Sequence, residues 1–411
     1  MQRLGGVVIL TTKGKSGINI LCGGLNSSII HSPIKPFHEL SVDFLNELSK
    51  ELLKDPQARQ FPDIVTFAFW CRKSNIMRLK KEFTDHFNRL GYGTAFHIAP
   101  SNVPINFAFS FAFSLLAGNA NIVRVPSKNF LQIEIVNRSL AMVFNFPRFE
   151  IIKNMNLIVR YNHDDEINRF LSANCDARII WGGDETINEI RKFPLPTRSI
   201  DVAFADRYSF SAISATSILN LKDDDLKKLA ISFYNDTYLM DQNACSSPHL
   251  IVWLGDSKSI LDAKERFWQS VYEVVSTKYI PEPITIIDKF TQMCKDSIEL
   301  INILDYKNYG NLIFIIGLKN LTSKTDALRG KFGYFYEYDT DNLNKITHIV
   351  NNSFQTLTYF GIDKSTLKDF VVTNALPGID RIVPVGSALD ISIYWDGYDL
   401  IRTLSRIIDI K

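Results

Sequence analysis

Gly91-Tyr92-Gly93-Thr94-Ala95-Phe96-His97-Ile98-Ala99-Pro100-Ser101-Asn102-Val103-Pro104 is the stretch whose reading decides the fold. Thr94-Ala95-Phe96-His97-Ile98 reads as a short buried strand, and Pro100-Ser101-Asn102-Val103-Pro104 as a turn. The apolar residues 105–116 then read as a buried helix, with Pro104 acceptable at its first turn. Gly118-Asn119 ends that helix, and Asn121-Ile122-Val123-Arg124-Val125 is the next strand. The alternation continues with a helix near 130–143, a strand near 156–160, a helix near 164–173 and a strand at 178–181. Strands alternating with helices predict a parallel sheet covered on both faces. Ligands of such sheets bind at the carboxyl ends of the strands.

Upstream, residues 1–36 are glycine-rich, with β-branched runs at Val7-Val8-Ile9-Leu10 and Ile18-Asn19-Ile20-Leu21. They predict a hairpin or small meander, with a role in oligomerisation as one option. Helices are expected at 41–53 and over one long, basic stretch, 63–90. Downstream, a second α/β unit is expected after Asp201. It has a helix near 222–238, a strand at Leu250-Ile251-Val252-Trp253-Leu254 and further alternation to about 372. A closing strand and a helix over 399–407 complete the chain. The expected division is a cofactor domain at 37–200, a catalytic domain at 201–375 and a C-terminal segment at 376–411. That last segment either returns to the cofactor domain or lines an oligomer interface.

The 411 residues allow two or three domains with sizeable cores. A net charge of +2, from 46 basic and 44 acidic residues, argues against a dedicated nucleic-acid or polybasic membrane surface. The 29 phenylalanines suit a Phe-packed core or a greasy substrate channel. The longest apolar stretch, 105–116, is too short to span a bilayer. Five cysteines (Cys22, Cys71, Cys175, Cys245 and Cys294) are spread singly, without a CxxC pair. That spacing argues against disulfides and against a zinc site, and fits a reducing compartment. The N-terminus lacks the apolar core of a signal peptide, so the expected location is the cytoplasm.

Chemistry concentrates at Asp241-Gln242-Asn243-Ala244-Cys245-Ser246-Ser247-Pro248-His249. Cys245 sits among small and polar residues at the lip of an apolar strand, where a thiolate is reachable yet partly dry. Thiolates attack aldehydes and thioesters. An isolated cysteine is more often a buried, inert one, so the rest of the chain has to decide. His97 reads as a satisfied core or pocket-wall residue. His249 forms a Cys–His dyad only if the fold brings the two side chains together.

Asn102, the run Gly118-Asn119 to Arg124 with Pro126-Ser127-Lys128, Trp181-Gly182-Gly183 and Cys245 occur in the order found in the aldehyde dehydrogenase superfamily, which this chain resembles. The resemblance is closer to the LuxC-type acyl thioester reductases. It rests on residues 91–104, Leu115-Leu116-Ala117-Gly118-Asn119, Cys245-Ser246-Ser247-Pro248, Gly378-Ile379-Asp380-Arg381-Ile382-Val383-Pro384-Val385-Gly386 and Tyr394-Trp395-Asp396-Gly397-Tyr398. It implies an α/β aldehyde-dehydrogenase-like fold, with a Rossmann-like parallel-sheet cofactor domain and an α/β catalytic domain carrying the cysteine.

By the same resemblance Cys245 is the nucleophile, and Asn102, with the Cys245 N–H, is the oxyanion donor. Arg124, Ser127, Lys128, Gly182, Gly183 and Phe332 are the cofactor-binding residues; no metal is expected. Ser127 stands at or beside the position where NAD-dependent members carry a ribose-binding Glu. Together with Arg124 and Lys128 it favours NADPH (NADP). Phe332-Gly333 resembles the nicotinamide-ribose motif without its Glu, Gly330 and Lys331 standing there instead. Ala203 replaces the general-base Glu of the hydrolytic members, with Asp206 a distant substitute; the stretch 203–209 is expected to be a strand. The implied reaction is NADPH-dependent reduction of an acyl-CoA or acyl-protein thioester, of fatty type, to an aldehyde. The alternatives are an aldehyde dehydrogenase and a non-catalytic partner subunit. Implied partners are an acyl-protein synthetase and further copies of the chain, as dimer or tetramer.

Overall fold

The computed structural model describes residues 17–24, 32–101 and 103–411. Its contacts divide the chain into two units, one of residues up to Ala205 together with Ile391–Lys411, the other Asp206–Asp390. In the first unit the strands are β1 (Asn19–Gly23), β2 (Asn88–Gly91), β3 (Thr94–Ile98), β4 (Ala120–Arg124), β5 (Asn156–Arg160), β6 (Ala177–Trp181) and β7 (Ile200–Phe204). The helices are α1 (Glu39–Lys54), α2 (Pro62–Trp70), α3 (Lys73–Glu82), α4 (Asn106–Leu116), α5 (Leu131–Phe144), α6 (Glu150–Asn154), α7 (Asp165–Ala173) and α8 (Asp184–Arg191).

The six-stranded sheet runs β1-β5-β4-β3-β6-β7, and every neighbouring pair is parallel except β1 on β5. From β3 the chain steps outward through β4 and β5, then returns to the other side of β3 for β6 and β7. The direction of winding therefore reverses between β3 and β6, and the crevice beyond their carboxyl ends is where such sheets hold ligands. β1 joins the antiparallel edge of β5; the other expected N-terminal run, Val7-Val8-Ile9-Leu10, lies outside the described residues.

Helix α4 is apolar all round because it is enclosed on all sides, residues 107–116 being buried. Phe44 of α1 anchors the packing beside it, with ring centroids 4.9 Å from Phe144, 5.4 Å from Phe149 and 6.3 Å from Phe111. Many of the phenylalanines are thus core, each such pair adding about 0.5–1.5 kcal/mol beyond its buried area. Gly118 ends the helix at φ +94, where a Cβ would meet the Ile34 carbonyl oxygen at 2.0 Å. Asn119 then accepts from Tyr92 N at 2.6 Å and donates to Leu404 O at 2.9 Å, tying the turn ahead of β3 to the C-terminal segment.

In the second unit the strands are β8 (Tyr208–Ser214), β9 (Pro248–Leu254), β10 (Ile303–Tyr309), β11 (Ile313–Leu318), β12 (Tyr334–Thr340), β13 (Phe354–Phe360) and β14 (Arg381–Pro384). They form one sheet, β10-β11-β12-β9-β8-β13-β14, parallel except for edge strand β10. The helices are α9 (Ala215–Leu219), α10 (Asp223–Thr237), α11 (Ser257–Lys278), α12 (Pro283–Glu299) and α13 (Lys364–Val372). Alternate residues of β9 feed opposite cores. Ile251 and Trp253 pack with Phe233, Phe267 and Phe335, while Leu250 and Val252 pack with Tyr208, Tyr336 and Phe354. A strand covered on both faces reads as the continuous apolar run seen in the sequence.

Three expectations need correction. The stretch 63–90 is two helices and a strand. Its break falls at Cys71-Arg72, where Arg72 turns extended (ψ 137) and Asn75 Nδ2 donates to Trp70 O at 2.8 Å. The stretch 203–209 is also broken, β7 ending at Phe204 and β8 starting at Tyr208. The closing segment is the short helix Leu400–Thr403 followed by the strand Ser405–Ile408, which pairs antiparallel with β2.

Candidate active site

Cys245 lies on the short connection from α10 to β9. After Thr237 the chain tightens into a 3-10 turn (Tyr238–Met240), then passes through two successive left-handed residues, Asp241 (φ 52) and Gln242 (φ 57). Side chains other than glycine adopt this conformation at a cost, and it persists where surrounding bonds fix it. Here the Gln242 amide fixes it. Gln242 Oε1 accepts from Gly333 N at 2.7 Å and Tyr334 N at 3.1 Å, while Nε2 donates to Tyr334 O at 3.2 Å and Pro248 O at 3.3 Å. The turn closes with Ser247 N on Ala244 O at 2.9 Å and Ser247 Oγ on Asp236 O at 2.7 Å.

This geometry leaves Cys245 partly exposed at the amino-terminal edge of the second sheet. Gln355 Nε2, at the head of β13, donates to its Sγ at 3.4 Å. Ser209 Oγ, at the head of β8, donates to its carbonyl at 2.7 Å. Burial lowers the pKa of the Arg381 guanidinium, and Asp390, Asp236 and Cys245 oppose that shift. Arg381 also donates to the carbonyls of Ser387 at 2.8 Å and Ala388 at 2.7 Å. The Asp236 carboxyl receives the N–H groups of Gly386 at 2.6 Å and Ala388 at 2.8 Å, so the 386–388 loop is held from both sides. Cys22, Cys71 and Cys175 contrast with Cys245. All three are buried, and burial pushes the thiols of Cys22 and Cys175 up to about 12 and that of Cys71 well above its usual value. Cys294 is exposed on α12.

His249 serves the scaffold. It is buried, its Nδ1 bonds Gly330 O at 2.9 Å, and its ring stacks 5.6 Å from that of Tyr208. Burial pushes its pKa down to about 3, which makes it a poor proton acceptor near neutrality. Through the Gly330 contact, and through Phe332 N on Asp241 O at 3.3 Å, the 330–333 loop is fastened to the cysteine loop. Phe332 is itself left-handed (φ 59) and lines a cleft of about 280 Å³ with Asp288, Lys289, Lys295, Arg329 and Lys331. Asp206 accepts from Arg329 Nη1 at 2.7 Å in an exposed ion pair.

In the first unit Arg124, Gly182 and Gly183 stand just at or past the carboxyl ends of β4 and β6, beside the reversal in winding. Arg124 lies over the Tyr161 ring at 4.8 Å, and among the described residues its buried Nε has no hydrogen-bond partner. Such an unsatisfied charged donor is costly without a ligand. Gly183 has open space where a Cβ would stand, at the start of α8. Ser127 and Lys128 are exposed. The nearby carboxylate Glu134 is paired with Arg160 at 2.8 Å. Ala203 is on β7. Asn102 lies outside the described residues. His97 is a satisfied core residue, bonded to Ser110 Oγ at 2.8 Å and Asn121 Oδ1 at 3.0 Å, and burial pushes its pKa down to about 4. Among the described residues no group of three His, Cys, Asp or Glu side chains is placed to hold a metal ion. No helix among them is long and apolar enough to cross a membrane.

Sequence reasoning does not single out Gln355, Ser209, Gln242 or Tyr161 as site residues. Each is polar or aromatic at the end of a strand or turn, and its partner is distant in sequence or hidden by the loop's shape.

The acyl-CoA reductase (LuxC) family matches residues 71–275. The long-chain acyl-protein thioester reductase of Aliivibrio fischeri is 26% identical over 168 residues, 40% of this chain and 33% of that protein. Long-chain acyl-protein thioester reductase 2 of Photobacterium leiognathi is 25% identical over 171 residues, 41% of this chain and 33% of that protein. The match thus spans about a third of the length of these relatives. A salicylaldehyde dehydrogenase from Pseudomonas putida G7, solved with salicylaldehyde, is similar with a TM-score of 0.63 over 92% of this chain and 86% of that one, at 13% identity. That likeness carries the fold. Residues 71–275 of this chain thus match the LuxC acyl-CoA reductase family, and the chain has an aldehyde-dehydrogenase-like α/β fold.

Proposed function

We propose that this protein reduces an activated fatty acyl thioester, acyl-CoA or acyl-protein, to the aldehyde, with NADPH as reductant. The observation that carries the reading is Cys245, a partly exposed thiol with an amide donor at its sulfur, in a chain whose Cys22, Cys71 and Cys175 are sealed in cores. In the first step Sγ attacks the thioester carbonyl carbon. A new C–S bond forms, the donor's C–S bond breaks, and the departing thiolate takes up a proton. Asn102 and the Cys245 N–H, carried over from the family resemblance, are the donors to the developing oxyanion.

NADPH when bound supplies the hydride that turns the acyl group into an aldehyde. Arg124, with its unsatisfied Nε over Tyr161, fits a phosphate-bearing cofactor, and the open space at Gly183 admits close approach to the backbone. Ser127 and Lys128 add a neutral and a cationic contact, and Phe332 lines a cleft with one carboxylate against four cations. Loss of the aldehyde breaks the enzyme's C–S bond and returns the electron pair to Sγ. Asp206 is occupied by Arg329 and position 203 bears no carboxylate, which disfavours hydrolysis to the acid.

The test is intact-protein mass spectrometry after incubation with a panel of acyl-CoA thioesters without cofactor. A mass gain of one acyl group, located on Cys245 and absent from Cys245→Ala, is the expected result. An adduct on another cysteine, or one that persists in Cys245→Ala, overturns the assignment.

A further inference from the structure

The sulfur and the main chain of Cys245 are both referred to two consecutive residues of β13. Gln355 Nε2 reaches Sγ at 3.4 Å, and the Thr356 hydroxyl donates to Gln355 Oε1 at 3.2 Å. This pairing places the amide NH₂ toward sulfur and the amide oxygen toward the hydroxyl, an orientation that suits a thiolate, which only accepts. Gln355 is 1% exposed, so its amide is desolvated and confined to this environment. Meanwhile Ser209 Oγ donates to Cys245 O at 2.7 Å and accepts Thr356 N–H at 3.1 Å. One end of residue 245 is therefore held by side chain 355, the other through Ser209 by backbone 356.

We propose that Gln355 holds the reactive sulfur of this enzyme, stabilising the Cys245 thiolate by hydrogen bonding and aiming it out of the loop. The proposal rests on Cys245 being the nucleophile. A thioester sulfur is a much weaker acceptor than a thiolate, so the Gln355 bond is strongest when the electron pair resides on Sγ. That is the state before attack on the acyl donor and again after the aldehyde leaves. The bond accordingly makes Cys245 available as thiolate and improves it as a leaving group.

Charges around the sulfur come from several elements. Arg381 on β14 is the nearby cation; burial lowers its pKa, and Asp390, Asp236 of α10 and Cys245 oppose that shift. His249 of β9 is neutral and turned to Gly330. All of these remain when Gln355 alone is changed, so a difference between variants isolates the amide.

The experiment is the pH dependence of iodoacetamide alkylation of the intact protein, followed by mass. Cys245→Ala reports the contribution of exposed Cys294. Gln355→Leu should raise the midpoint for Cys245 by about one pH unit or more, as for loss of a charge-assisted hydrogen bond. Gln355→Glu, nearly isosteric, should raise it further by placing a carboxylate beside the thiolate. Thr356→Val, which removes the hydroxyl hydrogen bond to the amide oxygen, should give a smaller rise in the same direction. If Gln355→Leu does not fold, Gln355→Glu and Thr356→Val decide. An unchanged midpoint in the folded variants overturns the proposal. Acylation is read separately: a shifted alkylation profile with no acyl adduct on Cys245 defeats the reductase reading and leaves the thiolate assignment standing.

Discussion

The hydroxyl of Ser209 donates to the carbonyl of Cys245 at 2.7 Å, joining the first residues of β8 to the loop that precedes β9. Ser209 is fully buried and also receives Thr356 N–H. Ser209→Ala leaves two backbone groups without their partner, at a cost of about 1–3 kcal/mol. Denaturant unfolding should show that loss, and acylation of Cys245 should slow more than substrate binding weakens. Unchanged acylation with reduced stability would restrict Ser209 to folding.

The left-handed pair Asp241-Gln242 depends on one amide that makes four hydrogen bonds. Gln242→Ala should therefore destabilise by about 2–4 kcal/mol, removing the bonds and opening a cavity. Gln242→Glu, which turns a buried carboxylate oxygen against the carbonyls of Tyr334 and Pro248, should destabilise at least as much as Gln242→Ala. Thermal unfolding of the three proteins orders them, and a Gln242→Ala protein as stable as wild type contradicts the role given to the amide.

Asp236 makes stability depend on pH. Burial raises its pKa from 3.8 in the unfolded chain to about 7. Between these values the folded state keeps a proton that the unfolded state has released, so stability is full below about pH 4 and declines as pH rises toward 7. Asp236→Asn should flatten that decline, while costing some stability because one of the Gly386 and Ala388 N–H groups loses its acceptor. Urea unfolding of both proteins from pH 4 to 8 checks the sign; parallel curves would refute it.

Cofactor preference is read at Arg124. Arg124→Ala should weaken NADPH binding roughly tenfold to a hundredfold, the worth of one charged hydrogen bond to phosphate, with a smaller effect on NADH. Fluorescence titration with each nucleotide measures both. An equal loss for the two would mean that Arg124 meets a group they share.

How far the sequence carries this picture depends on the range of the interactions involved. The strands from Thr94 to Trp181 are legible because they are buried on both faces and separated by helices, a local pattern. Cys245 is legible because its polar setting abuts the apolar run of β9. Strand β2 is not, since its partner is the strand Ser405–Ile408, more than 300 residues away in sequence. The break at Cys71-Arg72 is masked by helix-forming residues on either side. Gln355 stands 110 residues from the cysteine it meets; only the register of β8, β9 and β13 brings them together.

The ring that Gln242 Nε2 closes on Pro248 O encloses only residues 243 to 247. Side chains within it can be exchanged without altering its circumference, but an inserted or deleted residue must either break the ring or carry Sγ away from Gln355. Natural variants and engineered libraries of this protein should accordingly differ here, outside Cys245, in composition and not in length.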